Sequence, residues 1–500
     1  MVKKESFMIP ASVVLISKTL ENNGFEAYLI GGCVRDLLIG RQPNDWDITT
    51  NAVPEKVIEI FPKTFYENEY GTVGVINEKE TDETVKVVEI TPYRMESKYS
   101  NKRHPDSVKF SNKLEDDLKR RDFTINAVAL KIGEQIEDSL YKGHVIDLYK
   151  GQEDIESGII RAVGNPNERF EEDALRMLRA IRIASELRFT IHSDTKSAIL
   201  NHSDLLKHIS TERIRDEFIR TLQSPNPMKG LILSHELGIL RQFLPELEKG
   251  IGIKQNKSHS YDVWEHCLRT LQHAADKNWT LEIRLAALFH DIAKTETRRW
   301  ADEKKEWTFY GHDVVGSRVT AKILARMLFP KKTVDTVANL VRWHMFFSDT
   351  DQITLSSVRR LLGNVGQDKI WDLMNLRACD RIGTGRPKES PYRLRKYKAM
   401  IEEVLHDPVT VGMLKIDGGK VMQITKIAAG PKVGHILHAL LEEVMDKPEL
   451  NSPETLEKRV IQLSKLSEKK LKELGEKGKE RKEDEEKRTV KEIRDKYWVE

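Results

Sequence analysis

The chain has 500 residues, room for three or four domains of about 100–200 residues and for several full cores. Its 82 Lys+Arg against 79 Asp+Glu leave a net charge of +3, so a nucleic-acid partner would have to be met by a localised basic surface. Cys33, Cys267 and Cys379 are odd in number and far apart, which gives no disulfide framework or thiolate zinc site. The opening MVKKESFMIP lacks a leader's apolar core and no run of about 18 apolar residues follows, so the expectation is a soluble, cytoplasmic protein that meets no membrane.

Residues 1–150 mix short strands with helices. Alternation and β-branched content place strands at EAYLIGG, GTVGVI and KVVEITPYR. The first runs into Gly31-Gly32 and a short helix beginning near Cys33. A glycine turn at a helix N-terminus presents backbone N–H groups to a phosphate, and Arg35, one turn in, adds a charge-assisted contact. Asp45 and Asp47 are two apart and share a face if extended, a pair able to hold Mg²⁺ through oxygen ligands. Glu89 lies on the KVVEITPYR strand with Val87 and Thr91 on its face. An acid in an apolar strand is costly unless paired or metal-bound, so it is a third candidate beside a plain edge-strand acid. In LEDDLKRRDFTINAVAL, Arg120 and Arg121 precede an expected helix that Asp122 or Thr124 would cap, and an arginine there can clamp a triphosphate. Each fragment alone is common on protein surfaces; their order and spacing carry the reading.

Residues 151–250 read as helical. In EEDALRMLRAIR, Asp173, Arg176, Arg179 and Arg182 are spaced by three and are expected to form one ridge opposite Leu175, Leu178 and Ile181. Asp173 can accept from an exocyclic amine and Arg176 can donate to base acceptors, with the other arginines toward phosphates. The plain alternative is an exposed, salt-bridged helix. Residues 255–400 are helical and rich in histidine: His266, His290-Asp291, His312 and His344, with Asp380 beyond them. Imidazoles and carboxylates converging from separate helices make a metal site. From about residue 452 a Lys/Glu tract reads as a solvated helix or a disordered tail.

In order, GGxVRD, DxD, RRDFTINA, EDxLRxLRAxR and TERIRDEF resemble the class II tRNA nucleotidyltransferase and bacterial poly(A) polymerase superfamily over roughly the first 220 residues. The resemblance implies an α/β nucleotidyltransferase head, a small mixed sheet with helices, followed by all-α neck, body and HD domains. The head would be residues 1–150 and the neck and RNA-binding region 151–250. It implies metal ligation by Asp45 and Asp47, and nucleotide contacts at Gly32, Arg35, Arg121, Asp173, Arg176, Arg179 and Arg182. Asp173 and Arg176 would act as a protein template for CTP and ATP. Cys33 stands where the motif often carries Ala or Ser and would contribute only its backbone.

The histidine region resembles the HD phosphohydrolase superfamily in the order H, HD, distant D. The match falls on His266, His290, Asp291 and Asp380, with His312 and His344 as the extra ligands some members carry and Lys294 placed to meet a phosphate. This implies a second, transition-metal site within 255–400 and hydrolysis of phosphoesters, for instance 2′,3′-cyclic phosphates, although retained HD folds can be inactive. Residues 401–500 would be a further helical region with the charged tail. The expected activity is template-independent addition of C, C and A to the tRNA 3′ end from CTP and ATP. The RNA 3′-hydroxyl attacks the α-phosphate, pyrophosphate leaves, and Mg²⁺ serves as cofactor. The partners are then the tRNA acceptor arm, CTP and ATP, with no DNA. A poly(A) polymerase, a CC-only or A-only enzyme, and an HD hydrolase with an RNA-binding head are the alternatives; intact Asp45 and Asp47 argue against the last. Residues 93–109 are the expected loop that separates CCA from partial addition.

Overall fold

The computed structural model describes residues 5–66, 71–78, 80–96, 108–256, 259–346 and 353–475. Residues 97–107, most of the loop expected to govern partial addition, lie outside them, as do 476–500 of the charged tail. The chain divides into two units, 1–248 and 249–500. Among the described residues, no helix is long and apolar enough to cross a membrane.

The first unit is built on an eight-stranded mixed sheet. Its strand order is Ser6–Met8, Leu140–Asp147, Val128–Glu137, Ala27–Ile30, Trp46–Thr50, Val87–Pro92, Val73–Ile76 and Thr64–Tyr66. All neighbours are antiparallel except Trp46–Thr50 with Val87–Pro92, whose parallel register sets Asp47 beside Glu89. Alternation decides which side chains enter the core: Trp46, Ile48, Val88 and Ile90 are buried, while Asp47 and Glu89 between them are half-buried. Leu29, Val13, Phe7 and Val57 complete that core.

A second core follows among the helices Pro166–Glu172, Leu175–Leu187, Ser193–His202 and Pro227–Glu236, centred on Phe170, Met177, Ile181 and Ile199. Two expectations are corrected here. The helix expected after Arg121 is one 3-10 turn, Thr124–Asn126, because Val128–Glu137 joins the sheet at once. The Asp173 ridge is broken: Pro166–Glu172 ends, Asp173 is extended at φ −139°, and a new helix starts at Leu175. The Asp173 carboxylate accepts from Leu175 N at 3.0 Å, a local side-chain turn that competes with continuous helix.

In the second unit, the helices Val263–Asp276, Leu281–Phe289, His312–Arg326, Lys331–Trp343 and Ile370–Gly383 carry the histidine motifs. A further core forms around Pro431–Asp446 and Pro453–Ser464. The start of the charged tract is therefore a packed helix rather than a solvated one, with Leu456, Val460 and Leu463 buried at helical spacing.

Candidate active site and metal centre

In the first unit, everything gathers on the turn between Ala27–Ile30 and the helix Gly32–Ile39. Gly31 has φ +78° and ψ −133°, a conformation that an L side chain adopts only under strain. A methyl group on Gly31 would lie 3.0 Å from Arg121 Nη1 and 3.5 Å from Asp47 Oδ2. One on Gly32 would lie 3.7 Å from Arg35 Nη2 and 3.9 Å from Asp45 Oδ1. Two guanidinium groups and two carboxylates thus face one glycine pair, with Glu89 in register beside Asp47. This set suits a polyphosphate and a hard divalent cation: backbone N–H and arginine donors for the anion, carboxylate oxygens for the metal. The Cys33 thiol is buried against the Ile30 carbonyl at 3.2 Å, and burial pushes its pKa up to about 12.

The arginines are held by acids to which the sequence reading gave no such role. Asp117, fully buried, accepts from Arg120 Nε at 2.9 Å and from Arg121 Nη2 at 3.1 Å. Burial pushes its carboxyl up, but the two arginines outweigh that and hold it below the usual range. Arg121 spends Nε and Nη2 on this contact, and its Nη1 is the atom that approaches Gly31. Arg35 is nearly buried; it bonds Asp36 through Nε at 2.9 Å and Asn126 Oδ1 through Nη1 at 2.9 Å. Asn126 Nδ2 donates to Asp122 Oδ1 at 3.1 Å, and Arg179 Nε donates to Asp122 Oδ2 at 2.7 Å. Burial opposes the Asp122 charge, yet Arg179 foremost keeps that carboxyl well below its ordinary value. One continuous network therefore runs from Arg35 to Arg179.

Asp173 and Arg176 are brought together with new partners. Asp173 Oδ2 accepts from Arg213 Nη2 at 2.9 Å, across from the TERIRDEF helix Thr211–Gln223. The other end of that guanidinium, Nη1, is buried without a hydrogen bond. Arg176 donates to Glu172 Oε2 at 2.6 Å and to the Arg120 carbonyl at 3.0 Å, tying the two arginine motifs together. Arg182 is enclosed by Glu217 at 2.7 Å and Glu186 at 2.9 Å, so its donors are committed to an internal ion-pair cluster. The i, i+3 and i, i+4 spacing of Asp117 to Arg120 and Arg121 was a readable signal for one missed residue. No local spacing relates Asp173 to Arg213, which are 40 residues apart.

The second unit brings all six expected residues to one point. His266 Nε2 lies 3.0 Å from Asp291 Oδ2, 3.4 Å from Asp380 Oδ1 and 2.9 Å from His290 Nε2. On the other side, Asp291 Oδ1 lies 3.3 Å from His312 Nε2 and 3.7 Å from His344 Nε2. His290, His312 and His344 each turn Nδ1 toward a carbonyl three residues earlier, at 2.9, 2.6 and 2.7 Å. That contact places the proton on Nδ1 and aims the Nε2 lone pair at the centre, the arrangement metal-binding imidazoles require. Ligand atoms of His266, His290 and Asp380 lie within 4.8 Å of one another, as do those of Asp291, His312 and His344. Asp291 thus offers one oxygen to each half, and the donor set fits two divalent ions. A third such trio, with His259 beside His266 and Asp291, had not been expected. Burial opposes charge on His266, but its bonds to Asp291 and Asp380 carry its pKa up to about 9, while burial takes His344 down to about 4. Lys294 Nζ stands 2.6 Å from Asp291 Oδ2, a cation already at the carboxylate.

Known proteins match this chain throughout. The poly A polymerase head domain matches residues 27–161, the probable RNA- and SrmB-binding site of polymerase A matches 188–251, and the HD domain matches 263–382. A CCA-adding enzyme of Geobacillus thermodenitrificans is 32% identical over 458 residues, 91% of this chain and 97% of the relative. A CC-adding tRNA nucleotidyltransferase of Thermus thermophilus is 34% identical over 429 residues, 83% of this chain and 89% of the relative. The crystal structure of the Bacillus stearothermophilus CCA-adding enzyme in complex with CTP superposes with a TM-score of 0.67 at 29% identity, covering 90% of this chain and 96% of that one. With a motif set, a sheet and whole-length relatives in agreement, the chain belongs to the CCA-adding family of tRNA nucleotidyltransferases.

Proposed function

We propose that the chain extends the 3′ end of tRNA by C, C and A, taking the nucleotides from CTP and ATP and releasing pyrophosphate. The observation that carries this reading is the meeting of Asp45, Asp47, Arg35 and Arg121 over Gly31-Gly32, with Glu89 in register beside Asp47. In this reading the triphosphate lies on the glycine turn and the helix N-terminus, with Arg121 Nη1 and the Arg35 guanidinium beside it. The RNA 3′-oxygen bonds to the α-phosphorus as the bond from that phosphorus to the α–β bridging oxygen breaks, pyrophosphate departs with that oxygen, and the hydroxyl proton passes to solvent water. Mg²⁺ held by Asp45, Asp47 and Glu89 would supply a Lewis acid for the attacking oxygen and the leaving phosphates. Asp173, held by Arg213, and Arg176 would present the acceptor and donors that read the base edge, with Arg179 and Arg182 keeping that helix in place.

The test is nucleotide choice in an Asp173→Ala variant. Competing CTP, UTP, ATP and GTP should be incorporated in altered ratios, with the rate of the preferred addition falling less than the selectivity. Unchanged ratios would remove the template role. C addition without A is the second reading, favoured by the likeness to the Thermus thermophilus enzyme. For the second unit, the two-sided placement of Asp291 supports binding of divalent transition metals at His266, His290, Asp291, Asp380, His312 and His344, and hydrolysis of phosphoesters there. The three cysteines are free and buried, as suits a reducing cytoplasm.

A further inference from the structure

The His/Asp cluster forms part of the wall of a cavity of about 2160 Å³, lined wholly by residues of the second unit. Small-molecule sites enclose roughly 300–1,000 Å³, so the space far exceeds one nucleotide. Its charge is also unbalanced. Arg377 and Arg381 stand at i and i+4 on Ile370–Gly383, a like-charge spacing that destabilises a helix unless something answers it. Arg377 is answered by the metal-site residue Asp380, at 2.6 Å. Among the described residues, Arg381 donates to the Lys388 carbonyl, at 2.6 Å, and to no carboxylate. Arg318, Arg381 and Arg386 all line the cavity, and among the described residues none of the three has an acidic partner. Of the wall acids, Asp313 and Glu442 are paired with Arg342 and Arg360, and Asp291 and Asp380 belong to the His/Asp cluster, which leaves Glu306 against three arginines. Two tyrosines, Tyr310 and Tyr392, line the same cavity and are each 66% exposed, with Lys304 Nζ 5.8 Å over the Tyr310 ring, a further cation for the strand. Guanidinium groups without acidic partners and exposed tyrosines lining one cavity are what a strand of phosphates and bases needs.

We propose that this cavity binds a single-stranded RNA segment several nucleotides long, its phosphates along Arg318, Arg381 and Arg386 and its bases against Tyr310 and Tyr392. Divalent ions held by the His/Asp cluster would then supply Lewis-acid chemistry to a phosphate ester of that strand and not to a free nucleotide. Water oxygen bonds to phosphorus, the ester P–O bond breaks, and a water proton ends on the departing oxygen. The strand preference rests on the hydrolase reading above; binding does not.

Two measurements on the full chain separate the ideas. The first is fluorescence anisotropy with a labelled RNA octamer, for wild type and the R381A/R386A double variant. The variant should bind about tenfold more weakly while adding nucleotides to tRNA at the wild-type rate, and inorganic polyphosphate of equal charge should bind about tenfold more weakly than RNA. Equal octamer binding by both proteins, or polyphosphate bound as tightly as RNA, would overturn the proposal. The second is hydrolysis with Mn²⁺ of the octamer carrying a 3′-phosphate and of a nucleoside 3′-phosphate. We expect kcat/KM about tenfold higher for the octamer in wild type only. Equal values overturn the strand preference. Arginine-dependent octamer binding with neither substrate hydrolysed would strike the hydrolase reading and leave the RNA cavity standing.

Discussion

Asp122 touches no substrate in this account, yet it closes the chain of contacts from Arg35 through Asn126 to Arg179. Replacing it with Asn removes a charge that its neighbours are arranged to meet, at a cost of about 1–3 kcal/mol near neutral pH. The pH dependence follows from the sign of the shift. The folded carboxyl titrates below the ordinary value of about 3.9, so its contribution is complete above that pH and is lost as pH falls through the lower, folded value. Denaturant unfolding of wild type and Asp122→Asn should therefore differ most from pH 5 to 7, with the gap narrowing below about pH 4. A gap that widened on acidification would contradict the assignment. At this scale the sequence was partly legible. Asp45, Asp47, Arg35 and Arg121 were marked by spacing, and they do meet at one turn. Asp122 lay inside a motif already read, but as a helix cap; its pairing with Arg179 spans 57 residues, which no local pattern encodes.

At the scale of elements, the Gly31 turn and the parallel pairing carry the site. Gly31→Ala would strain the backbone by about 1–3 kcal/mol and crowd the Arg121 guanidinium. Nucleotide addition should then lose about tenfold or more in kcat/KM, with a Tm drop too small to explain it. An alanine variant of full activity would show that no ligand approaches this backbone. The strand bearing Glu89 was readable from alternation, but the strand at Trp46–Thr50 that bears Asp47 was not assigned, and neither was their adjacency. The two run parallel with other strands intervening in sequence, a choice made by the packing of Trp46, Ile48, Val88 and Ile90 and not by any turn. The broken helix at Asp173 was hidden for a different reason. The i, i+3 spacing runs from Asp173 unbroken into Arg176, Arg179 and Arg182, while the extended backbone at Asp173 and its carboxylate's bond to Leu175 N set that residue outside the helix.

Across the whole molecule, two clusters of charged side chains are complete within separate units of the chain. Their chemistries should therefore separate. Asp291→Asn weakens both halves of the histidine site at once, so bound transition metal, read by elemental analysis, should fall by about tenfold or more while CCA addition keeps its rate. Loss of addition in a variant that remains folded would mean that the metal centre also serves the transferase. The near-neutral net charge of +3 gave little sign of a polyanionic substrate, because acids such as Asp117, Glu172 and Glu217 are spent internally on orienting arginines.

The most direct test offers the purified chain tRNA transcripts ending at the discriminator base, after C, or after CC, with Mg²⁺ and each labelled nucleotide. Our account predicts that all three are completed to CCA and that extension then stops, with Asp47→Ala inert on each. Addition of C alone would mark the chain as a CC-adding enzyme, long A tails as a poly(A) polymerase. Undiminished addition by Asp47→Ala would contradict the site itself.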